Sequence, residues 1–192
     1  MNYKPENSLD IVGCHLFKPN LFTDERGVFF EWFQGKSFQT ILSKDFDLAQ
    51  ANCSVSSKGV IRGIHFAKNP PGQAKYVTCF SGSVFDVVVD LRKGSPTFGK
   101  WNSVVIDSRE PTALYIPSGV GHAFMALEDN TTFVYLCDQS YNPANEFDVS
   151  PFDSKIGIEW PQDISPVLSP KDQKAKTFEE MFDAFPSFTD LI

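Results

Sequence analysis

Short stretches rich in Val, Ile, Phe, Tyr and Thr recur along the chain. Gly, Pro, Asn and Asp interrupt them at intervals of roughly eight to twelve residues, the spacing of a β-sandwich or barrel. The pattern predicts strands at residues 11–17, 28–33, 48–56, 60–66, 74–81, 84–91, 103–107, 113–116, 123–127 and 132–138. With no long helices between them, these strands exclude a βαβ plan. Period-2 alternation is clearest at residues 84–91, where Phe85, Val87, Val89 and Leu91 share one face and Asp86 and Asp90 the other. One face of that strand is expected to pack and the other to be wet or functional. Two segments read as helix: residues 36–43, and residues 170–185, with Ser169 as N-cap and Pro170 at the first helical position.

The 192 residues suit one domain, with a barrel core over about 45–140 and a helical tail over about 169–192. At 42% hydrophobic and 14% aromatic, the chain carries enough apolar surface for a large core, which excludes disorder as a class. A net charge of −7 gives no basic footprint for nucleic acid, although a local basic pocket is compatible with it. No apolar run approaches the roughly 18 residues of a membrane helix. The start, MNYKPENSLDIVG, has neither an Arg-rich character nor the apolar core of a signal peptide, so the expected compartment is the cytoplasm. Cys14, Cys53, Cys79 and Cys137 lie singly, without a CxxC, and read as reduced, mostly buried thiols.

Histidine is scarce, so His15, His65 and His122 can be weighed singly. His15 lies in an early strand without polar company and reads as structural. Pro117-Ser-Gly119-Val-Gly-His122 matches the PxGxxH pattern of the second cupin motif, in which a turn aims a histidine into a barrel. The first cupin motif would supply an HxH pair and a following Glu, but Gly63-Ile-His65-Phe offers one His only. The three or four ligands of a metal site cannot be assembled from this set, so neither a metal nor another cofactor is expected. Two inward histidines without a metal act as bases or hydrogen-bond donors, which suits proton transfer near neutral pH, or they are hydrogen-bonded core side chains.

Several further motifs follow in order: Phe22-Thr-Asp-Glu-Arg26-Gly-Val-Phe29-Phe-Glu31, Gln50-Ala-Asn52, Val60-Ile-Arg62-Gly-Ile-His65-Phe, Gly72-Gln-Ala-Lys75-Tyr-Val, Phe85-Asp-Val-Val-Val-Asp90-Leu-Arg92-Lys-Gly-Ser-Pro-Thr-Phe98-Gly, Tyr135-Leu-Cys, Tyr141-Asn-Pro-Ala-Asn-Glu146, Ile156-Gly-Ile-Glu-Trp160-Pro and Leu168-Ser-Pro-Lys171-Asp172. Through them the chain resembles, over about residues 9–173, the dTDP-4-dehydrorhamnose 3,5-epimerase family. The resemblance implies an all-β, cupin-type double-stranded β-helix (jelly-roll) barrel with short peripheral helices and a C-terminal helical tail. It also implies a dTDP-linked 4-keto-6-deoxy sugar as substrate, and a homodimer that exchanges N-terminal strands.

Carbons 3 and 5 of such a sugar both flank the ketone, so their C–H bonds are acidified. Inverting them takes a base, a group that holds the enolate oxygen, and an acid on the opposite face. By the resemblance His65 is the base, Asp172 pairs with its other ring nitrogen, Lys75 stabilises the enolate and Tyr135 is the proton donor. Arg26 and Arg62 are assigned to the diphosphate or sugar, Lys171 lies near the site, and Glu31, Gln50, Asn52, His122 and Glu146 are polar contacts. Tyr135 favours double epimerisation. The other readings are a mono-epimerase, a non-catalytic nucleotide-sugar-binding protein and a metal-dependent cupin.

Three features modify this picture. Arg62 and His65, three apart, face opposite sides of a flat strand. Either a twist or bulge at Gly63 brings them together, or Arg62 reaches a ligand across a dimer interface. Ala67 stands where a Gln often follows in the family, and the loop 68–72, with its two prolines, reshapes the neighbouring contact. Asp24, Glu25, Asp86, Asp90 and Arg92 are read as scaffold or surface, with a salt-bridge framework among them.

Overall fold

In a computed structural model, residues 4–5 and 9–184 are described. In chain order the elements are β1 (Lys4–Pro5), β2 (His15–Lys18), β3 (Phe22–Asp24), β4 (Gly27–Phe29), α1 (Gly35–Leu42), β5 (Gln50–Ser56), β6 (Val60–Ala67), β7 (Lys75–Ser81), β8 (Ser83–Asp90), β9 (Trp101–Asp107), β10 (Ala113–Ile116), β11 (Val120–Ala126), β12 (Thr131–Cys137), β13 (Glu146–Asp148), β14 (Val167–Leu168), a 3₁₀ turn (Asp172–Lys174) and α2 (Phe178–Ala184). One sheet runs β1-β2-β10-β7-β12-β5 and the other β13-β6-β11-β8-β9, with β14 added parallel to β6. The β3–β4 hairpin pairs only with itself among the described strands.

Strand faces follow from what each side covers. Between the sheets, Val77, Cys79 and Phe133 of one share an apolar cluster with Val84, Val88 and Phe124 of the other. Outside the first sheet, Tyr76, Tyr115 and Leu136 are covered by Phe38 of α1 and the aromatics Trp32, Phe33 and Phe46. Outside the second, Ile61, Ile64, Phe66, Val87, Val89 and Met125 lie beneath Trp160, Phe178 and Met181. Sheets covered on both faces explain why Asp86 and Asp90 are fully buried rather than wet. The polar face of β8 is the inner wall of a barrel.

Most predicted strands form, with ends shifted by a few residues; the first begins only at His15, and residues 30–33 leave the strand after Phe29. The pairing also recruits segments outside residues 45–140, namely β1, β2, β13 and β14. The predicted 170–185 helix is two pieces. The first piece begins only at Asp172, with Lys171 rather than Ser169 at its cap position and Pro170 outside it, although Ser169 Oγ does accept from Asp172 N at 3.1 Å. The helix then stops because Ala175 is extended (φ −60, ψ 143), letting Lys176 O accept from Ser150 N at 2.8 Å. The second piece starts afresh with a capping box, Thr177 Oγ1 accepting from Glu180 N and Glu180 Oε2 from Thr177 N. Residue 185 and the stretch beyond it lie outside the described residues.

The feature of the fold that matters most for chemistry is in β6. Opposite β11, Arg62 pairs with Phe124 and His65 with His122, so Gly63 and Ile64 together face the single residue Ala123. This is a β-bulge, and it turns both Arg62 and His65 to the barrel side while Ile61, Ile64 and Phe66 stay in the outer cluster. Gly63 has φ +117 and precedes a cis peptide bond to Ile64. A Cβ at this position would collide with the His122 carbonyl oxygen and lie 2.6 Å from Ala123 Cβ. Gly63→Ala combines a left-handed backbone with overpacking, and is expected to cost about 3 kcal/mol or more in urea unfolding. A wild-type midpoint would contradict this account of the bulge.

Candidate active site

His65 Nε2 lies 2.7 Å from Asp172 Oδ1, joining the wall of the second sheet to the 3₁₀ turn 107 positions later. Asp172 is buried, and its second oxygen accepts from Ser169 Oγ at 2.8 Å. Burial pushes the carboxyl up, but the hydrogen bonds from His65 and Ser169, with the charges of His65 and Lys171, hold it below the ordinary carboxylate range. An ionised Asp172 accepts the Nε2 proton, so the neutral imidazole presents an unprotonated Nδ1, the form required of a base.

Around this pair lies a cleft of about 430 Å³, lined by Arg62, His65, Leu168, Ser169, Lys171 and Asp172 among others. Arg62 Nε donates to Ser56 Oγ at 3.2 Å, and Lys171 Nζ donates to Asp148 Oδ1 at 2.8 Å. Asp148, on β13 directly opposite His65, places the same Oδ1 3.5 Å from His65 Nε2.

The facing sheet supplies the remaining groups. Lys75 is in phase with the inward Val77 and Cys79 on β7, opposite Cys137 of β12. Its side chain is buried, and burial depresses its pKa against the opposing charges of Cys137, Glu146, Asp86 and Asp148. Lys75 Nζ forms no hydrogen bond or ion pair with the described residues. Tyr135, inward on β12, has Asn52 of β5 across from it. Burial raises the Tyr135 pKa and the nearby Arg62 guanidinium lowers it. Gln50 Nε2 donates to Asn52 Oδ1 at 2.9 Å, and Gln50 Oε1 accepts from Tyr141 N. Glu146 on β13 is half-buried, and burial raises its pKa despite Lys75, His65 and Lys171 nearby.

His122 is held by a buried carboxylate. Its Nε2 lies 2.8 Å from Asp86 Oδ2, its ring stacks 6.0 Å from that of Phe133, and both members of the pair are buried. This makes Asp86 a partner of a candidate site residue rather than surface. Asp90 does fit the scaffold reading: it receives Arg92 Nε at 2.8 Å as well as the Ser95 and Thr97 hydroxyls.

Ten of the twelve expected residues belong to this region, in two groups. His65, Asp172, Lys171 and Arg62 line one cleft, and Lys75, Tyr135, Gln50, Asn52, Glu146 and His122 belong to the inward-facing walls. Glu31 is half-buried in the segment after β4. Arg26 is not brought in: it is exposed on the hairpin and paired to Asp24 of the same hairpin. The residues that the sequence reading missed are Asp148 and Ser169 Oγ as a second partner of Asp172. A Ser three before an Asp was a legible capping signal, but nothing local marks Asp148.

His65, Asp148 and Asp172 bring ligand-type atoms within 4.8 Å of one another. The cluster is already compensated from within, by the Lys171 ammonium on Asp148 and by the imidazole and hydroxyl on Asp172. The donor set therefore fits a hydrogen-bonded proton-transfer group better than an ion cage. All four cysteines are free, with Cys53 exposed and the others buried.

A hydrogen-bonded His–Asp pair on one barrel wall faces a lysine and a tyrosine on the other, groups able to move protons. The sequence profile described as dTDP-4-dehydrorhamnose 3,5-epimerase matches residues 8–180. The chain belongs to this family. It is 51% identical over 172 residues to a dTDP-4-dehydrorhamnose 3,5-epimerase of Mycolicibacterium smegmatis, covering 90% of this chain and 85% of that one. Its fold superposes on the solved epimerase of Mycobacterium tuberculosis with a TM-score of 0.93 at 45% identity, covering 99% and 94% of the two chains. It is equally 45% identical to a 3′-monoepimerase from Streptomyces bikiniensis solved in complex with dTDP-quinovose, with a TM-score of 0.90 and 95% and 92% coverage. The expected family, cupin-like jelly-roll and epimerase class are therefore shown. Among the described residues no helix is long and apolar enough to cross a membrane.

The depressed Asp172 carboxyl has a consequence for stability. A folded pKa below the unfolded one stabilises the protein above the ordinary carboxylate range, and the contribution is lost as pH falls through the folded value. Asp172→Asn is expected to be less stable than wild type by about 2 kcal/mol near neutral pH in urea unfolding, the gap closing in acid. A gap independent of pH would contradict this.

Proposed function

We propose that the protein inverts carbons 3 and 5 of dTDP-4-dehydro-6-deoxy-D-glucose, giving dTDP-4-dehydro-L-rhamnose for dTDP-L-rhamnose biosynthesis. The observation that carries this reading is the 2.7 Å His65–Asp172 pair on one wall, with Lys75 and Tyr135 turned inward from the facing sheet. His65 Nδ1 takes the proton from the carbon beside the ketone, and the C–H electron pair moves into the enolate. Asp172 stabilises the imidazolium as it forms. The Lys75 ammonium, lacking a partner of its own among the described residues, holds the enolate oxygen. Tyr135 then delivers its O–H proton to the opposite face, with Arg62 beside it to favour the phenolate, and solvent restores both groups. Arg62 and Lys171 at the cleft supply positive charge for the diphosphate, and Arg suits it by bidentate bonding. Gln50, Asn52, His122 and Glu146 act as the polar contacts that orient sugar and base.

The same reading takes residues 1–192 as one domain and the active form as a homodimer exchanging N-terminal strands. The hairpin supports this, because Phe22 and Phe29 stand 53% and 66% exposed on an element that pairs with no other described strand. Its Arg26 then serves the neighbouring subunit's diphosphate or sugar, with Glu31 following as a polar contact. Four free cysteines suit a reducing compartment, and we place the protein in the cytoplasm.

Incubation with dTDP-4-keto-6-deoxyglucose in D₂O, followed by NMR, is expected to place deuterium at both carbon 3 and carbon 5. Deuterium at carbon 3 or carbon 5 alone would make the protein a mono-epimerase, and deuterium at neither would leave only a sugar-nucleotide-binding role.

A further inference from the structure

Asp148 has no part in the scheme above, yet it is among the groups closest to the base. β13 sets it directly across from His65, and the register is fixed next to this pair: Ile64 N and Val149 N each donate to the other's carbonyl at 3.1 and 3.0 Å. Its Oδ1 lies 3.5 Å from His65 Nε2, too far for a well-formed hydrogen bond but close enough for its charge to act in a partly desolvated site. The same oxygen accepts from Lys171 Nζ at 2.8 Å. Burial works against the Lys171 charge, but the hydrogen bond and charge of Asp148, with Asp172, raise its pKa and favour the ammonium.

We infer that Asp148 and Lys171 form a charge pair that sets how readily His65 takes up a proton, with Asp148 acting as a second, longer-range carboxylate beside Asp172. The inference deepens the assignment of His65 as base and rests on it. With His65 neutral, Asp148, Asp172 and Lys171 sum to one negative charge, and protonation of His65 brings the cluster to neutrality. Without Asp148 the same step would create net positive charge, and without Lys171 it would relieve a double negative one. The other groups facing His65 do not cancel this. Glu146 lies on the same strand as Asp148, Arg62 is on the same strand as His65 and bonded to Ser56, and His122, opposite on β11, is bonded to Asp86. Asp148 and Lys171 are thus positioning residues in the electrostatic sense: they tune the base without needing to touch substrate.

The three histidines make the test direct. Ring ¹⁵N NMR titration of the whole protein, with the His65 signal identified by its loss in His65→Gln, reads its midpoint without turnover. Asp148→Asn is expected to lower that midpoint by about half a pH unit or more, and Lys171→Met to raise it by a similar amount. The double variant, which restores the net charge, should return close to wild type, and His15 should stay put in all of them as a check on folding. His65 midpoints that coincide with wild type, or that move the same way in both single variants, would overturn the inference. The acid limb of kcat/KM for deuterium exchange should move in the same order as the midpoints. If the midpoints move as expected while His65→Gln still exchanges at the wild-type rate, the base assignment fails and the charge pair stands.

Discussion

Strand β6 faces a conflict that a regular strand cannot resolve. It has to keep Ile61, Ile64 and Phe66 in the outer apolar cluster while sending Arg62 and His65 to the barrel side. Period-2 geometry forbids this for residues three apart, and the extra residue at Gly63 permits it. Everything downstream follows from that insertion. His65 comes opposite His122 on one neighbour and Asp148 on the other, and its ring nitrogen points at the place where the 3₁₀ turn delivers Asp172. Only glycine fits, because the His122 carbonyl and Ala123 occupy the space of a Cβ.

The second half of the dyad is placed by packing far from it. Asp172 reaches His65 because the chain that carries it is tied down on both sides. β14 lies along β6 before it, and afterwards Lys176 bridges to Val149 while Phe178 and Met181 sink into the outer cluster. Asp153 adds a buried carboxylate that accepts from Phe178 N at the start of α2 and from Lys155 N and Ile156 N in its own turn. A net charge of −7 suits the molecule poorly to polyanions, while the buried Lys75 and the exposed Arg62 and Lys171 at the cleft are set beside a few carboxylates. The balance within that group, rather than the total, governs how anionic sugar nucleotides and a protonated base are accommodated.

Much of this was legible in the residues. Strands such as Ala113–Ile116 and Val60–Ala67 announce themselves through β-branched and aromatic runs between turn residues, and an irregularity at Gly63 was one of the two ways to resolve the Arg62–His65 conflict. What escaped were elements whose existence depends on distant partners. Glu146–Asp148 and Val167–Leu168 are too short to show periodicity and are strands only because β6 is there to pair with them. The tail reads as one helix by its local signals, yet Ala175 is pulled straight by Ser150. Asp86 and Asp148 were opaque for the same reason: a carboxylate's meaning depends on the imidazole it meets across the fold, His122 in one case and His65 in the other.

The central claim is that His65, turned inward by the bulge and held by Asp172, removes the proton beside the ketone. It is tested most directly by following loss of label from substrate deuterated at carbons 3 and 5, in ordinary water, with His65→Asn against wild type. The account predicts that washout slows roughly a thousandfold while the variant still binds dTDP. Washout within tenfold of the wild-type rate would contradict it.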